Sequence, residues 1–257
     1  MDSLLSIQRY IESELISYGY EIERHEFSFD GNLFENIAGS RRKNRQMPYL
    51  LIGSHFDAVP QSPGADDNAS AVAAFLETAR ILSENELTEN IEFVAFNLEE
   101  YSMIGSSSYA RYLREKEQKL LGMISLEMIG YTSSKKGSQK LPLALRPFYP
   151  DVGDFLALVG DENSKNFLAK AEKAFKKSAG LKVECLTVPV KGRLFPETRL
   201  SDHSPFWDEG FPALLVTDTS FFRNPNYHRP SDTIDTLDMT FLRRVTEGIV
   251  HLAMEFS

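Results

Sequence analysis

The sequence predicts an α/β fold in three layers, with a mixed, largely parallel central sheet flanked by helices. Apolar runs of strand length alternate along the chain with segments of helical periodicity, which is typical of parallel strands joined by crossover helices. Several of the apolar runs have a continuous centre, which indicates burial on both faces of the sheet. Because no internal repeat, low-complexity tract or linker interrupts the pattern, we expect residues 1–257 to form a single domain.

The first half of the chain begins with a helix and continues with strands. Residues 3–17 place apolar side chains at helical spacing, which predicts the first helix. The alternating runs YEIERHEFSF and NLFENIAGS predict two strands. Three buried strands then alternate with two helices, in the order MPYLLIGSHFD, ASAVAAFLETARILSE, NIEFVAFNLEE, GSSSYARYLREKEQ and LLGMISLEMIG.

The second half opens with a weakly patterned segment, 132–150, for which we expect a loop. DFLALVGD and LKVECLTVPV predict strands on either side of the helix NSKNFLAKAEKAFKKSAG, which a glycine ends. HSPFWDEG predicts a short helix or turn and FPALLVTDT a strand. The amphipathic run MTFLRRVTEGIVHLAMEFS predicts a closing helix.

The composition excludes several classes of protein. A formal net charge of −9 and the lack of a dense basic patch argue against a nucleic-acid partner. No apolar run is long enough to span a bilayer, so no membrane partner is expected. The start of the chain lacks the pattern of a signal peptide, from which we expect a cytoplasmic location. The single cysteine, Cys185, excludes an intramolecular disulfide and a Cys-rich zinc site, and we expect it to be a small buried hydrophobic residue.

Histidine and carboxylate side chains follow four separate predicted strands. The strand at 49–54 leads into His55 and Asp57, and Asp67 follows in the turn before the next helix. The other three strands, 91–98, 121–126 and 212–217, lead into Glu99, Glu100, Glu127 and His228. Ligands of open α/β sheets bind outside the carboxyl ends of the strands, so we expect these side chains to meet at one edge. Each alone is typical of a helix cap or a solvated surface, but together they would repel one another without a cation.

This set of side chains indicates a metal site. Two histidines and three or more carboxylates suit zinc or a similar divalent ion. They are too many for one tetrahedral zinc with an open position, whereas two ions that share a carboxylate would use them all. Of the adjacent pair Glu99 and Glu100, one would then bind metal and the other would act as general base.

Five motifs in this order resemble the zinc aminopeptidases of clan MH, family M28, to which the glutaminyl cyclases are related. The motifs are SHFDAVPQSPGADDNASAV, NLEEYSMIGSSSYA, LEMIGY, SDHSPFW and NYHRPSDTIDTLD. The resemblance covers most of the chain. It implies a fold of the zinc exopeptidase type, similar to the phosphorylase/hydrolase fold, two zinc ions and a peptide substrate.

The resemblance also implies a role for each candidate residue. His55 and Glu127 would bind the first zinc, Asp57 would orient the His55 ring by a hydrogen bond, and Asp67 would bridge the two ions. Glu100 and His228 would complete the second site, with Glu99 as the general base. Many members carry Asp at the position of Glu127; the extra methylene here changes the expected metal separation or the room for a substrate amine.

The neighbours of these residues are expected to shape the site. We expect Asp66 to be structural and Asn68 to cap the following helix. Side chains that flank the motifs are candidates for the substrate pocket, namely Met103, Asp202, Phe221, Phe222 and Tyr227. Asp202 and His203 are expected around the ligands rather than among them. For Arg199 and Arg223 we expect an exposed or salt-bridged position rather than a grip on a substrate carboxylate.

The sequence therefore predicts a zinc-dependent aminopeptidase that releases N-terminal residues, with three alternatives left open. A glutaminyl cyclase would need one zinc only and an aromatic residue, often Trp, beside the last histidine, whereas this chain has His55 and places Tyr227 before His228. A catalytically silent peptide-binding homologue would be expected to have lost part of the ligand set. A two-metal nuclease or phosphatase would call for a basic groove, which the acidic charge disfavours.

Overall fold

The computed structural model describes residues 2–85 and 90–256. Its helices are α1 (Asp2–Ser17), α2 (Ala71–Glu84), α3 (Ile104–Glu115), α4 (Lys165–Phe175), α5 (His203–Asp208) and α6 (Met239–Met254). Its strands are β1 (Glu21–Phe29), β2 (Asn32–Ser40), β3 (Tyr49–His55), β4 (Ile91–Phe96), β5 (Leu120–Glu127), β6 (Ser133–Lys136), β7 (Val152–Gly153), β8 (Leu156–Asp161), β9 (Val183–Val188) and β10 (Ala213–Thr217). In these residues no helix is both long enough and apolar enough to cross a bilayer.

Eight strands form one sheet in the order β1-β2-β4-β3-β5-β10-β8-β9. The four central strands, β4, β3, β5 and β10, are parallel to one another. The β1–β2 hairpin joins one side of this group antiparallel, and β8, with β9 parallel to it, joins the other side antiparallel. The sheet is therefore mixed but largely parallel, as predicted, and its central strands all end at one edge.

Alternate side chains of the central strands enter two separate cores, which makes three layers. Leu50 and Ile52 of β3 face the core beneath α1, α2, α4 and α6. Tyr49 and Leu51 face the opposite core, beneath α3 and α5. Successive strand residues point to opposite faces, so a strand buried on both faces is apolar at most of its positions. Full burial of each such side chain contributes about 1.5–3 kcal/mol.

Two predicted boundaries differ from the structure. The strand predicted at 91–98 ends at Phe96, because Asn97 donates its backbone N–H to Asn36 (3.0 Å) and Leu98 turns the chain with φ +57°. The segment 132–150 is not entirely loop, since β6 pairs with β7 in a small separate sheet. Because β4 ends early, Glu99 and Glu100 lie in the turn after the strand, at the sheet edge.

Candidate metal centre

His55 is the last residue of β3, and its side chain is buried at the sheet edge. Its Nδ1 lies 3.1 Å from the backbone carbonyl oxygen of Asp57 and 3.5 Å from Oδ1 of the Asp57 carboxylate. With the hydrogen on Nδ1, the ring donates a hydrogen bond toward these oxygens, and Nε2 is then free to bind a metal. The ring was predicted to meet the Asp57 carboxylate, but the carbonyl is the nearer acceptor.

The Asp57 carboxylate has a second task that the sequence did not reveal. Its Oδ1 accepts the backbone N–H of Glu99 (3.1 Å), and its Oδ2 accepts that of Glu100 (3.2 Å). One carboxylate thus holds the turn after β4 that carries both glutamates. Because the partners are backbone amides, no residue type at positions 99 and 100 signals the contact.

Asp67 is held in the same manner by a residue that sequence reasoning missed, Asp232. The Asp232 carboxylate accepts the backbone N–H of Asp66 (3.0 Å) and of Asp67 (3.2 Å), and its carbonyl accepts that of Ala65 (3.2 Å). Asp232 is fully buried. Gly64 begins the turn with φ +68°, where a Cβ would lie 2.6 Å from the Asp67 carbonyl oxygen, so this position requires glycine. The only signal for Asp232 was its place in the motif NYHRPSDT.

The predicted ligands meet in two groups that share Asp67. The first group is His55, Asp67 and Glu127, and the second is Asp67, Glu100 and His228. His55 Nε2 lies 3.5 Å from Asp67 Oδ1 and 3.3 Å from Glu127 Oε2. His228 Nε2 lies 3.1 Å from both Asp67 Oδ2 and Glu100 Oε2. Each oxygen of Asp67 therefore faces one group.

The buried polar atoms of these groups fit divalent cations. Among the described residues, His55 Nε2 and Glu100 Oε1 are buried and have no hydrogen-bond partner. Burial, together with the charge of Asp67, raises the pKa of Glu100 to about 7, and burial also raises the pKa of Glu127. A cation among the carboxylates would offset the cost of burying them in the charged form and would also give the unpartnered atoms a ligand. Nitrogen from histidine and oxygen from carboxylate are the donors that zinc accepts.

Glu99 lies beside the two groups but belongs to neither. Burial raises its pKa well above the usual value, against the opposing charge of His55 and with the help of Glu127. A carboxylate with a raised pKa accepts a proton more readily near neutral pH. The site therefore offers a proton acceptor next to the candidate ligands.

Three positions at the centre have positive φ without being glycine: Leu98 (+57°), Met128 (+44°) and His228 (+58°). Leu98 precedes Glu99, Met128 follows Glu127, and His228 is itself a candidate ligand. Such conformations cost of order 1–3 kcal/mol each and persist where the surroundings impose them. These three are among twelve such residues in the described part of the chain, and each is a candidate ligand or the direct neighbour of a candidate site residue.

Buried side chains support the ligands from behind. Ser201 donates its hydroxyl hydrogen bond to Glu127 Oε2 (2.8 Å) and contacts Ser125 at 3.0 Å between the Oγ atoms. Asp66 accepts from the backbone of Gly130 (2.9 Å) and the amide of Asn224 (2.6 Å), in agreement with a structural role.

Asn68 was predicted to cap α2, and that prediction is wrong. Its amide donates to the Leu126 carbonyl (3.0 Å), and its Oδ1 accepts the Met128 N–H (2.9 Å). The side chain therefore bonds on both sides of Glu127 and ties the turn that carries Asp67 to the end of β5. The local pattern of a cap gave no indication of this distant partner.

Two of the five pocket candidates line an apolar pocket, and the other three lie elsewhere. Phe221 and Phe222 line this pocket, and Tyr227 stacks on the His228 ring with 3.7 Å between centroids. Met103 instead accepts a hydrogen bond from Ser204 at its sulfur (3.4 Å), which places it against α5. Asp202 is fully buried, with burial raising its pKa to about 7 and with no hydrogen-bond partner among the described residues.

The flanking cationic and cysteine residues also have defined places. Arg199 pairs with Asp208 at 2.6 Å, as expected for a salt bridge. Arg223 was expected to be exposed or salt-bridged, but it is buried over the Phe155 ring and donates to Gln139 (2.9 Å). Cys185 is half-buried, packs against the edge of the core and also lines the apolar pocket.

The apolar pocket adjoins the first group of ligands at Glu127. Its walls come from β5, β10, β8 and β9 and from the segments 139–149, 195–200 and 219–222. Its interior volume is about 120 Å³. A protein cavity of about 150 Å³ holds a benzene molecule, so the space suits one apolar side chain.

The family model of peptidase family M28 matches residues 36–253. The protein YfbL of Escherichia coli K12 is 35% identical over 266 residues, which cover 98% of this chain and 80% of YfbL. Aminopeptidase YwaD of Bacillus subtilis 168 is 29% identical over 234 residues, with 89% of this chain and 46% of YwaD covered. The chain thus spans most of the first relative and about half of the second.

Among solved structures, the aminopeptidase LapA of Legionella pneumophila superposes with a TM-score of 0.77 at 19% identity. The alignment covers 99% of this chain and 65% of LapA. At that identity the likeness concerns the fold alone. It agrees with the three-layer architecture predicted from the alternation of strands and helices.

Proposed function

The chain belongs to peptidase family M28, and from this membership and the geometry of the centre we propose that it is a zinc-dependent aminopeptidase. It would release the N-terminal residue of a peptide by hydrolysis. The observation that carries the proposal is the pair of ligand groups sharing Asp67, with Glu99 beside them and outside both.

Two zinc ions would occupy the centre. His55, Asp67 and Glu127 would hold one, and Asp67, Glu100 and His228 the other. When bound, zinc supplies a Lewis acid that makes a water more acidic and polarises the scissile carbonyl. The near-equal distances from His228 to Asp67 and Glu100 support a complete second group.

Glu99 would transfer the proton. Its carboxylate takes the proton of the attacking water as the oxygen bonds to the carbonyl carbon. The same carboxyl group then gives the proton to the amine nitrogen as the peptide bond breaks, so Glu99 returns to its starting state. The hydrogen bonds from the backbone amides of Glu99 and Glu100 to the Asp57 carboxylate keep the Glu99 carboxylate in place relative to His55.

The apolar pocket would receive the side chain of the N-terminal residue. It adjoins Glu127, and its volume suits a side chain of the size of leucine or phenylalanine. We therefore expect peptides that begin with a bulky apolar residue to be the preferred substrates.

Mass spectrometry of one incubation tests the proposal. Zinc-loaded protein is mixed with a pool of unblocked peptides that differ in the first residue and include N-terminal glutamine. Loss of single N-terminal residues is the expected result, fastest for apolar ones. Loss of ammonia from the glutamine peptides alone would make the protein a cyclase, and an unchanged pool with zinc bound would contradict hydrolysis.

A further inference from the structure

A second cavity opens at the same edge of the sheet, on the side of the β1–β2 hairpin. We call it the hairpin groove; it lies between α1, the tip of that hairpin and the segment 56–63, and Ile7, Phe29, Phe34, Val59 and Tyr101 line it. Its volume is about 640 Å³, against about 120 Å³ for the apolar pocket. The groove therefore has room for several residues of a peptide rather than one side chain.

The groove lies beside the turn that carries Glu99 and Glu100, although no candidate ligand is among the residues that line it. Asp57, which contacts His55 and holds the amides of Glu99 and Glu100, forms part of its wall. Tyr101, the residue after Glu100, forms another part. The groove is therefore a neighbour of the centre, next to the two glutamates.

The apolar pocket and the groove flank the centre from opposite directions along the sheet. The pocket is walled by strands on the β10-β8-β9 side, whereas the groove lies on the side of β2 and β1. The candidate ligands come from β3, β4 and β5 between them, and from the segment after β10. A peptide whose first side chain enters the pocket would therefore continue across the centre toward the groove.

The surface of the groove is mixed, and it includes large apolar side chains that are open to a partner. Tyr101 is 54% exposed and Ile7 42%, and the Phe29 and Tyr101 rings lie 5.9 Å apart between centroids. Large apolar side chains left in water gain free energy when a ligand covers them, and aromatic residues are the usual anchors of such contacts.

We propose that the hairpin groove binds the apolar residues of a peptide substrate that follow its N-terminal residue. This inference rests on the proposed function for its place in the reaction, since these residues belong to the leaving peptide. It predicts that the protein acts best on longer peptides with apolar residues at the second to fourth positions.

The first test compares substrates. The ratio of kcat/KM for a tetrapeptide with apolar second to fourth residues to kcat/KM for the dipeptide Leu-Gly is measured in three proteins. Tyr101→Ser is expected to lower this ratio about tenfold, the loss typical of one aromatic anchor. Tyr10→Ser, which removes a tyrosine that is 56% exposed on α1, is the matched control and should leave the ratio unchanged. A ratio that does not depend on Tyr101 contradicts the proposal.

The second test does not depend on catalysis. An acetylated, fluorescent tripeptide amide with apolar residues stands for the leaving peptide, and its Kd is measured by fluorescence anisotropy. Wild type and Tyr10→Ser should bind it, and Tyr101→Ser about tenfold more weakly. If no peptide in the pool is hydrolysed but these Kd values are found, the proposed function is wrong, while the proposal that the groove binds apolar peptide stands. Equal Kd values for the three proteins would contradict the proposal. If Tyr101→Ser instead changes only the association state of the protein, as measured by light scattering, the groove is an interface between copies of the chain.

Discussion

Glu99 and Glu100 are adjacent in sequence, yet their carboxylates have different surroundings. Glu100 lies 3.1 Å from His228 and joins the second ligand group, whereas Glu99 stays outside both groups. The sequence predicted that the pair divides its tasks, and the resemblance to the family assigned which residue takes which. The roles themselves stay predictions that mutation can test.

Glu99→Gln is expected to reduce kcat by about 100- to 10,000-fold, because the amide cannot accept the proton of water. Its zinc content should stay that of the wild type. Glu100→Gln is the matched comparison and should lose zinc as well as activity. Activity assays paired with metal analysis of both variants check this; loss of zinc from Glu99→Gln would make that residue a ligand.

Asp232→Asn is expected to weaken zinc binding by about 10- to 100-fold, the usual effect of removing a group that orients a ligand. Its amide would place an NH₂ group against the N–H of Asp66 or Asp67 and loosen the turn. Asp238→Asn is the control, because the Asp238 carboxylate also accepts two backbone N–H groups (3.0 Å each) but caps α6 and does not hold the turn that carries Asp67. Competition with a chelator measures both affinities, and equal losses would show a general effect on stability.

At the scale of the elements, hydrophobic pattern predicted the strands and helices better than their ends. The continuous apolar runs of β3, β4 and β5 identified the buried strands because both faces are covered. The end of β4 was misplaced by two residues because its last hydrogen bond goes to a side chain of β2. The hydrogen bonds by which Asp57 and Asp232 hold the turns at the centre could not be predicted, since a bond to a backbone amide leaves no mark on the amide's residue type.

Ala157 of β8 forms part of the wall of the apolar pocket, and Ala157→Leu should fill part of its volume. We expect kcat/KM for peptides beginning with leucine or phenylalanine to fall about tenfold or more relative to peptides beginning with alanine, because overpacking costs about 1–3 kcal/mol. Zinc content should not change. Parallel decreases for all substrates would argue against this pocket as the site of the first side chain.

His203, the first residue of α5, gives that helix a dependence on pH. Burial lowers its pKa to about 3, and its Nε2–H donates to the Thr198 carbonyl (2.8 Å). The unfolded chain binds a proton near pH 6.5 and the folded chain does not, so stability is full above that pH and falls as the pH falls toward 3. The loss is about 1.4 kcal/mol per pH unit.

His203→Gln keeps a donor for Thr198 and removes the titration. Urea denaturation of the variant and of wild type between pH 7.5 and pH 4.5 should show a smaller loss of stability for the variant. The difference between the two free energies of unfolding at pH 7.5 measures the effect of the substitution on packing alone. Identical slopes for the two proteins would contradict the account.

At the scale of the whole molecule, the family and the fold predicted from five motifs and from strand alternation are confirmed. One sheet edge collects side chains that are up to 173 positions apart in sequence, from His55 to His228. The cytoplasmic location and the extent of a single domain over residues 1–257 stay predictions. The binding of zinc is supported by the donor set, and the number of ions is a matter for measurement.

Removal of zinc should lower the melting temperature of the whole chain. The folded protein keeps buried carboxylates close together at the centre, and a ligand that binds only this state stabilises it by RT ln(1 + [L]/Kd), or about 2.7 kcal/mol at one hundred times Kd. Calorimetry after chelation and after titration back with zinc measures the shift and its stoichiometry. A chain whose melting temperature does not respond, while zinc binding is detected, would place the metal outside the folded centre.

β8 and β9 run parallel to each other and antiparallel to β10, and this reversal has a consequence for how the protein can change over generations. This pair forms part of the wall of the apolar pocket, whereas the candidate metal ligands lie on other strands and loops. Under the proposed function, substitutions on β8 and β9 can therefore change which substrates are preferred and leave the catalysed reaction the same. Related lineages are expected to share the reactive machinery and to diverge first in this wall.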